Sequence, residues 1–254
     1  MKSRYSVALN NVPLSALDDC IYVSDINYTP ASPKHETTRY AARQGVYAGE
    51  PYIESSRVTV SFVIRHYTTH DRQQTAQQVM RWCAAGGWLQ TSDRPHQRIY
   101  VRCTRFPAVE SALRWTDALT VEFTAFAYPF WQDSMPATVS LSNGDTQSVF
   151  MPGVWPADVE ATVTAQDAIT TFTITCGATS MTFSGLSVSA GGTVTVSYTD
   201  DRHLLEVKAG GVSVLDKRTP ESSDDLVLVP GDGTVSFTAD ASAGCRLLLR
   251  GVWL

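Results

Sequence analysis

Between Arg57 and Trp88 the chain changes its period. Val58, Val60, Phe62 and Ile64 recur at every second residue, which puts one face of a strand into a core. From Ala76 onward the apolar positions become 76, 79, 80, 83 and 84, the three-and-four spacing of a helix face. Only a few polar residues separate the two patterns, and Gly86–Gly87 stops the second. One strand feeding one helix, in a chain otherwise patterned as strands, restricts the fold to a mainly β architecture. The helix must cover an open face of the strands around it. It is expected over about residues 71–85, with Ala76, Val79, Met80 and Cys83 inward and Arg72, Gln73, Gln77 and Arg81 outward. Thr69, His70 or Asp71 is its expected cap.

The remaining strands divide into two sets. Ser6–Leu9, Cys20–Tyr28, Arg57–Ile64, Gln97–Arg105 and Ala118–Phe126 form the first. Pro129 and Pro136 interrupt the chain after them. Beyond that break Thr, Ser, Val and Gly dominate and helical spacing disappears. Charge shifts at the same place. Residues 1–132 carry 14 Lys+Arg against 11 Asp+Glu, and residues 133–254 carry 6 against 14. Two domains are therefore expected, 1–132 and 136–254. The second reads as a β-sandwich, with strands near 137–141, 148–151, 159–166, 170–175, 180–183, 193–199, 203–208, 213–216, 226–229, 234–239 and 245–253. The turns "SNGD", "SAGG", "TDD", "KAGG" and "VPGDG" separate many of them. Trp253 reads as a core residue of the final strand, in phase with Leu247, Leu249 and Gly251.

Residues 29–52, "TPASPKHETTRYAARQGVYAGEPY", are long, polar and broken by Pro and Gly. Such a segment is functional or disordered more often than it is a simple connection. It reads as a projecting arm or hairpin, with Thr29, His35, Arg39, Arg43, Tyr47 and Tyr52 as candidate contact residues.

Catalytic signatures are missing from the sequence: no G-x-S-x-G elbow, no H-E-x-x-H pair and no Gly-rich phosphate loop. Five cysteines without a C-x-x-C argue against a disulfide framework or structural zinc, and Cys83 and Cys103 read as small buried hydrophobes. The histidines are scattered in polar context. Asp200, Asp201 and His203 could reach one cation, but Asp-Asp between strands is also ordinary turn chemistry. Glu221 and Asp225 carry no mark of desolvation. Trp155 in "MPGVWPAD" could stack on a sugar or plug the end of a sandwich. Arg94, Arg98, Arg102 and Arg105 lie around one strand, as a basic stripe or a solvated outer face. Nothing approaches the run of about 20 apolar residues that spans a bilayer. The first residues do not read as a signal peptide, so assembly in a cytoplasm is expected.

The order of parts carries a resemblance. "SRVTVSFVI", the helix, "LQTSDRP" (89–95), "AYPFW" (127–131) and a late "LVPG" turn (228–231) occur in sequence before the last strands. This order resembles the distal tail protein family of long-tailed phages (siphoviruses). The resemblance implies a structural, non-enzymatic protein without cofactor or metal. First domains, tail-tube-like and β-sandwich- or barrel-like with one packed helix, would pair into a hexameric ring, with the arm and the strand–helix unit as subunit contacts. Second domains, galectin-like or jelly-roll-like sandwiches, would project outward. Implied partners are the tail tube protein, the tape-measure protein, the tail hub or tail-associated protein and the receptor-binding protein, at the virion tail tip. DNA would pass through the lumen without specific binding. The alternative is a carbohydrate-binding β-sandwich module that attaches to host glycans.

Overall fold

The computed structural model describes residues 5–38, 47–109, 114 and 116–254, with the backbone alone for 36–38 and 47–51. The chain forms two compact units, Met1–Trp131 and Gln132–Leu254. It is mainly β, with one α-helix among the described residues.

Unit 1 runs β1 (Val7–Leu9), β2 (Val12–Pro13), β3 (Ile21–Thr29), β4 (Pro33–Thr38), β5 (Tyr47–Ile53), β6 (Ser56–Ile64), α1 (Thr69–Ala84), β7 (Gly87–Thr91), β8 (Arg94–Arg105) and β9 (Ala118–Ala125). Its main strands lie antiparallel in the order β2-β1-β7-β8-β9-β6-β3. The β8 strand holds two half-sheets together. Its N-terminal part pairs with β7, where Ile99 faces Leu89, and its end pairs with β9, where Cys103 faces Phe123. The alternating residues of β6 are buried as their spacing requires, and Val58, Val60 and Phe62 register against Phe123, Val121 and Leu119.

The helix packs against β6 and β8. Its cap is Thr68, one residue before the expected candidates. Thr68 has extended backbone, φ −92° and ψ 148°, so its Oγ1 can accept from the Asp71 amide at 3.1 Å. Thr69 is already helical and could not make that bond. The buried face also differs from expectation. It is Arg72, Thr75, Ala76, Val79 and Cys83, with Met80 half-buried and Ala84 exposed. Arg72, expected on the polar face, lies inward because its guanidinium has carbonyls to satisfy. It donates to the backbone oxygens of His66 and Tyr67, the latter at 3.0 Å, and to Thr69 Oγ1 at 3.0 Å. Burial of Val79 contributes about 1.5–3 kcal/mol.

Gly87 shows why the helix must stop where it does. Its φ is +134°, and a Cβ there would sit 2.1 Å from Asn10 Oδ1. That Asn10 side chain accepts from the Trp88 amide at 2.9 Å and donates to the Gly86 carbonyl at 3.0 Å. The β1–β2 turn is thereby tied to the start of β7.

β10 (Trp131–Asp133) begins on the last residue of unit 1, and unit 2 continues with β11 (Ala137–Ser142), β12 (Thr146–Met151), β13 (Ala157–Asp158), β14 (Glu160–Ala165), β15 (Ile169–Cys176), β16 (Thr179–Val188), β17 (Thr193–Tyr198), β18 (Leu205–Ala209), β19 (Val212–Ser213), β20 (Val227–Leu228), β21 (Gly231–Ala239), β22 (Ala243–Leu249) and β23 (Val252–Trp253). Two antiparallel sheets, β11-β22-β14-β17-β18-β19 and β12-β21-β15-β16, make a sandwich. Phe172, Ile174, Phe183 and Phe237 on one sheet, and Val163, Val194 and Leu247 on the other, supply its buried interior.

Three expectations for unit 2 change. The segment 213–216 is a strand only to Ser213, and Leu215–Lys217 is a 3₁₀ turn. "VPGDG" is only partly turn, because Gly231 to Gly233 already pair with Met151 to Val149. The last strand breaks at Arg250–Gly251, where Asp133 Oδ2 accepts from the Gly251 amide at 3.0 Å. Trp253 is consequently half-buried rather than core, and its Nε1 donates to Asp133 Oδ1 at 2.9 Å.

Candidate functional site

The arm segment forms a hairpin. β4 and β5 pair antiparallel, Lys34 with Tyr52 and Thr38 with Tyr47, in a two-stranded sheet of their own. Thr29 is exposed at the end of β3, His35 is exposed on β4, and Tyr52 is 50% exposed. Lys34 Nζ closes on Glu54 Oε1 at 2.5 Å. Arg39 and Arg43 lie outside the described residues. Of Tyr47 only the backbone is described. A two-stranded ribbon is marginal alone in water, so its order depends on what flanks it.

The helix residues lie elsewhere. Ala76, Val79 and Cys83 are buried in unit 1, and the face that α1 offers to solvent is Gln74, Gln77, Gln78 and Arg81. Burial pushes the Cys83 thiol up to about 12, so it behaves as an inert apolar group. Its neighbour Cys103 is half-buried and is also raised by burial.

The basic stripe does not hold together as one surface. The Arg94 guanidinium lies 5.0 Å from the Tyr28 ring and 4.9 Å from Trp131, and the two rings meet edge-on at 5.5 Å. Tyr28 also donates to the Asp93 carboxylate at 2.7 Å. These contacts gather "LQTSDRP" and the Trp of "AYPFW" on the end of β3. The Arg98 guanidinium stacks 3.9 Å from the Trp88 ring, and Arg105 pairs with Glu122 at 3.2 Å. Among these arginines, only Arg102 and Arg105 are exposed.

In unit 2 the Asp200–Asp201–His203 grouping does not converge. His203 turns to Asp158 instead, Nε2 to Oδ2 at 2.6 Å, and stacks on Tyr198 at 4.9 Å. Asp201 pairs with Arg202 at 3.8 Å on the turn. A left-handed φ of +53° at His203 aims its ring inward. Asp225 is less innocent than its sequence context suggested. Partial burial and the nearby Asp158 raise its carboxyl above the usual value of 3.8, although much of the residue meets solvent. Glu221 is exposed. Trp155 is half-buried, with its amide donating to the Val252 carbonyl at 3.3 Å. The largest exposed apolar side chains beside a groove are instead Phe150, 67% exposed, and Val229, 61% exposed.

One cluster left no mark in the sequence. Asp18 Oδ2 lies 2.6 Å from His66 Nε2 and accepts from Thr75 Oγ1 at 2.8 Å. Asp18 Oδ1 accepts from the Cys20 amide at 2.8 Å. Burial pushes Asp18 up, but the Cys20 amide, His66 and Thr75 outweigh it, and the carboxyl sits below its usual 3.8. Burial and then the Asp18 charge raise the Cys20 thiol. The residues come from the turn before β3, the β6–α1 link and α1, so no spacing along the chain could announce them.

Comparison with solved structures shows the fold as a whole. The Dit protein of phage SPP1, described as a paradigm of the hub adsorption apparatus in phages infecting Gram-positive bacteria, superposes with a TM-score of 0.72. The match covers 97% of this chain and 98% of that one at 12% identity. The chain has the fold of a phage distal tail protein. A chain of the phage P2 baseplate, in its activated conformation with calcium, matches over 96% of this chain and 97% of its own at 5% identity, TM-score 0.54. The strontium form of that baseplate gives the same values. No protein-family model matches the chain, and no curated protein matches it in sequence.

Proposed function

We propose that this chain is a structural hub component at the tip of a long-tailed phage or prophage tail. The observation that carries this reading is the end-to-end likeness to SPP1 Dit, which covers 97% of this chain and 98% of that one. In this reading the first domain, residues 1–132, forms a hexameric ring that continues the tail tube. The second, 136–254, stands at the periphery. The ring joins the tube and tape-measure protein to the tail hub or tail-associated protein and the receptor-binding protein. It is assembled in the host cytoplasm and ends in the virion. The β4–β5 hairpin, with exposed His35 and Tyr52, supplies a subunit contact; a ribbon with no other strand partner among the described residues gains most from a neighbour.

Size-exclusion chromatography with light scattering, and negative-stain images with and without the tube protein, test the ring. Closed rings are expected, and deleting residues 31–50 should weaken them while both units stay folded. A sharp monomer that forms no ring even with the tube protein would overturn the reading. DNA should bind no tighter than about 10⁻⁴–10⁻⁶ M at physiological salt, without sequence preference. The role is structural and not enzymatic, and glycan, cell-wall and ester substrates should show no turnover. The carbohydrate-module alternative would need an open aromatic platform, and a half-buried Trp155 serves it poorly.

A further inference from the structure

The structure assigns a soft-to-borderline divalent metal site, best suited to Zn²⁺, to Asp18, Cys20 and His66 in unit 1. Their ligand atoms, a carboxylate oxygen, the Cys20 Sγ and a His66 ring nitrogen, all lie within 4.8 Å of one another. No other group of three such side chains comes together among the described residues.

Donor chemistry selects the ion. One sulfur, one imidazole nitrogen and one carboxylate oxygen suit Zn²⁺, whereas Ca²⁺ and Mg²⁺ require more oxygen ligands. Bonds of about 2.0–2.3 Å in a tetrahedron place ligand atoms about 3.3–3.8 Å apart. His66 Nε2 and Asp18 Oδ2, now 2.6 Å apart, would have to open by under about 1 Å, and Cys20 Sγ lies within 4.8 Å of both. Side-chain rotation suffices, because the backbone is already set. The Arg65 amide donates to the Cys20 carbonyl at 2.9 Å, and Ile21 registers with Ile64. Cys20 and His66 are thus held side by side by the β3–β6 ladder before any ion arrives.

Access and support are both present. His66 and Asp18 keep 25% and 20% of their side chains open to solvent, enough for entry and for a water as fourth ligand. Thr75, buried on α1, holds the carboxylate through Oγ1 and acts as a positioning residue. Binding displaces the thiol proton of Cys20 to solvent and breaks the direct His66–Asp18 bond. The ion would then staple the start of β3 to the start of the helix, reinforcing the strand-to-helix passage around which unit 1 is built.

Co²⁺ alone, titrated into the reduced full-length chain, reads the site directly. One equivalent should produce a thiolate-to-cobalt charge-transfer band, and Zn²⁺ should abolish it. Cys20→Ser should remove the band, and His66→Gln should weaken binding at least about 100-fold, since even residues behind the ligands are worth 10–100-fold. Thr75→Val should weaken it about 10-fold without loss of the band. Absence of the band in the unsubstituted protein overturns the proposal, and that measurement depends on no variant folding. An undiminished band in Cys20→Ser also overturns it, by assigning the ion to the Cys83–Cys103 neighbourhood or another thiol.

Discussion

Val79 in unit 1 and Phe237 in unit 2 are both fully buried, but against different kinds of layer. Val79 reaches its core from a helix laid on β6 and β8. Phe237 reaches its core from a strand, beside Phe172 at 6.4 Å, while Phe172 stacks on Phe183 at 5.1 Å. A helix-backed sheet needs one amphipathic segment and a long strand that links half-sheets. A sandwich needs only alternation repeated many times. The first arrangement leaves polar connections such as β4–β5 free to be elaborated. The second makes a self-contained body. Their charges differ as well, with a small basic excess in unit 1 and the whole acidic excess in unit 2.

The strongest way to break this comparison is to empty one core. Phe237→Ala should cost about 3–5 kcal/mol in unit 2. Scanning calorimetry should show the unit 2 transition falling while that of unit 1 stays in place. A single transition that moves as a whole would mean that the two cores are one cooperative system. The next test concerns the helix exit. Gly87→Ala forces a left-handed residue and displaces the Asn10 side chain, for a cost of about 1–3 kcal/mol confined to unit 1. Denaturant unfolding followed by Trp fluorescence measures it. Thr68→Ala removes the cap bond to Asp71 and should cost about 1 kcal/mol, again in unit 1 only. Had Thr69 been the cap, Thr69→Ala would cost more than Thr68→Ala.

The smallest effect is one of sign. Asp18 sits below 3.8, so the stability it contributes is complete above that pH and is lost as pH falls below it. Asp225 sits above 3.8, so folded unit 2 favours its protonated form. Its contribution appears as pH falls through the raised value and is lost as pH rises through it. Asp240 of unit 2 is also held below 3.8, by the Thr170 hydroxyl and amide, so both units should lose stability between about pH 5 and about pH 3, and Asp18→Asn should flatten that loss in unit 1 alone. An acid loss in unit 1 that survives Asp18→Asn would show that other carboxylates dominate its response.

Periodicity made the elements legible. Val58 to Ile64 could be a half-buried strand and nothing else, because its spacing is two and β-branched residues fill it. The turn glycines of unit 2 separated its strands for the same local reason. Ends and faces were harder to read. The cap at Thr68 and the inward turn of Arg72 depend on which carbonyls and amides remain unsatisfied, and that is known only once the link 65–68 is folded. Trp253 looked like core because alternation was extrapolated across Arg250–Gly251, where Asp133 interrupts the strand.

By itself the sequence determined that this protein would be two mainly β units, one of them backed by a helix, without a catalytic motif. Those are properties of spacing and composition, which act along the chain. Tertiary structure alone decided that Asp18, Cys20, His66 and Thr75 meet, that Arg94 lies against Tyr28 and Trp131, and that His203 turns to Asp158 rather than to its sequence neighbours. The physical reason is range. Hydrogen bonds, ring contacts and metal ligation act over a few ångströms of space, and residues tens of positions apart acquire that proximity only when strand pairing and helix packing close the loops between them.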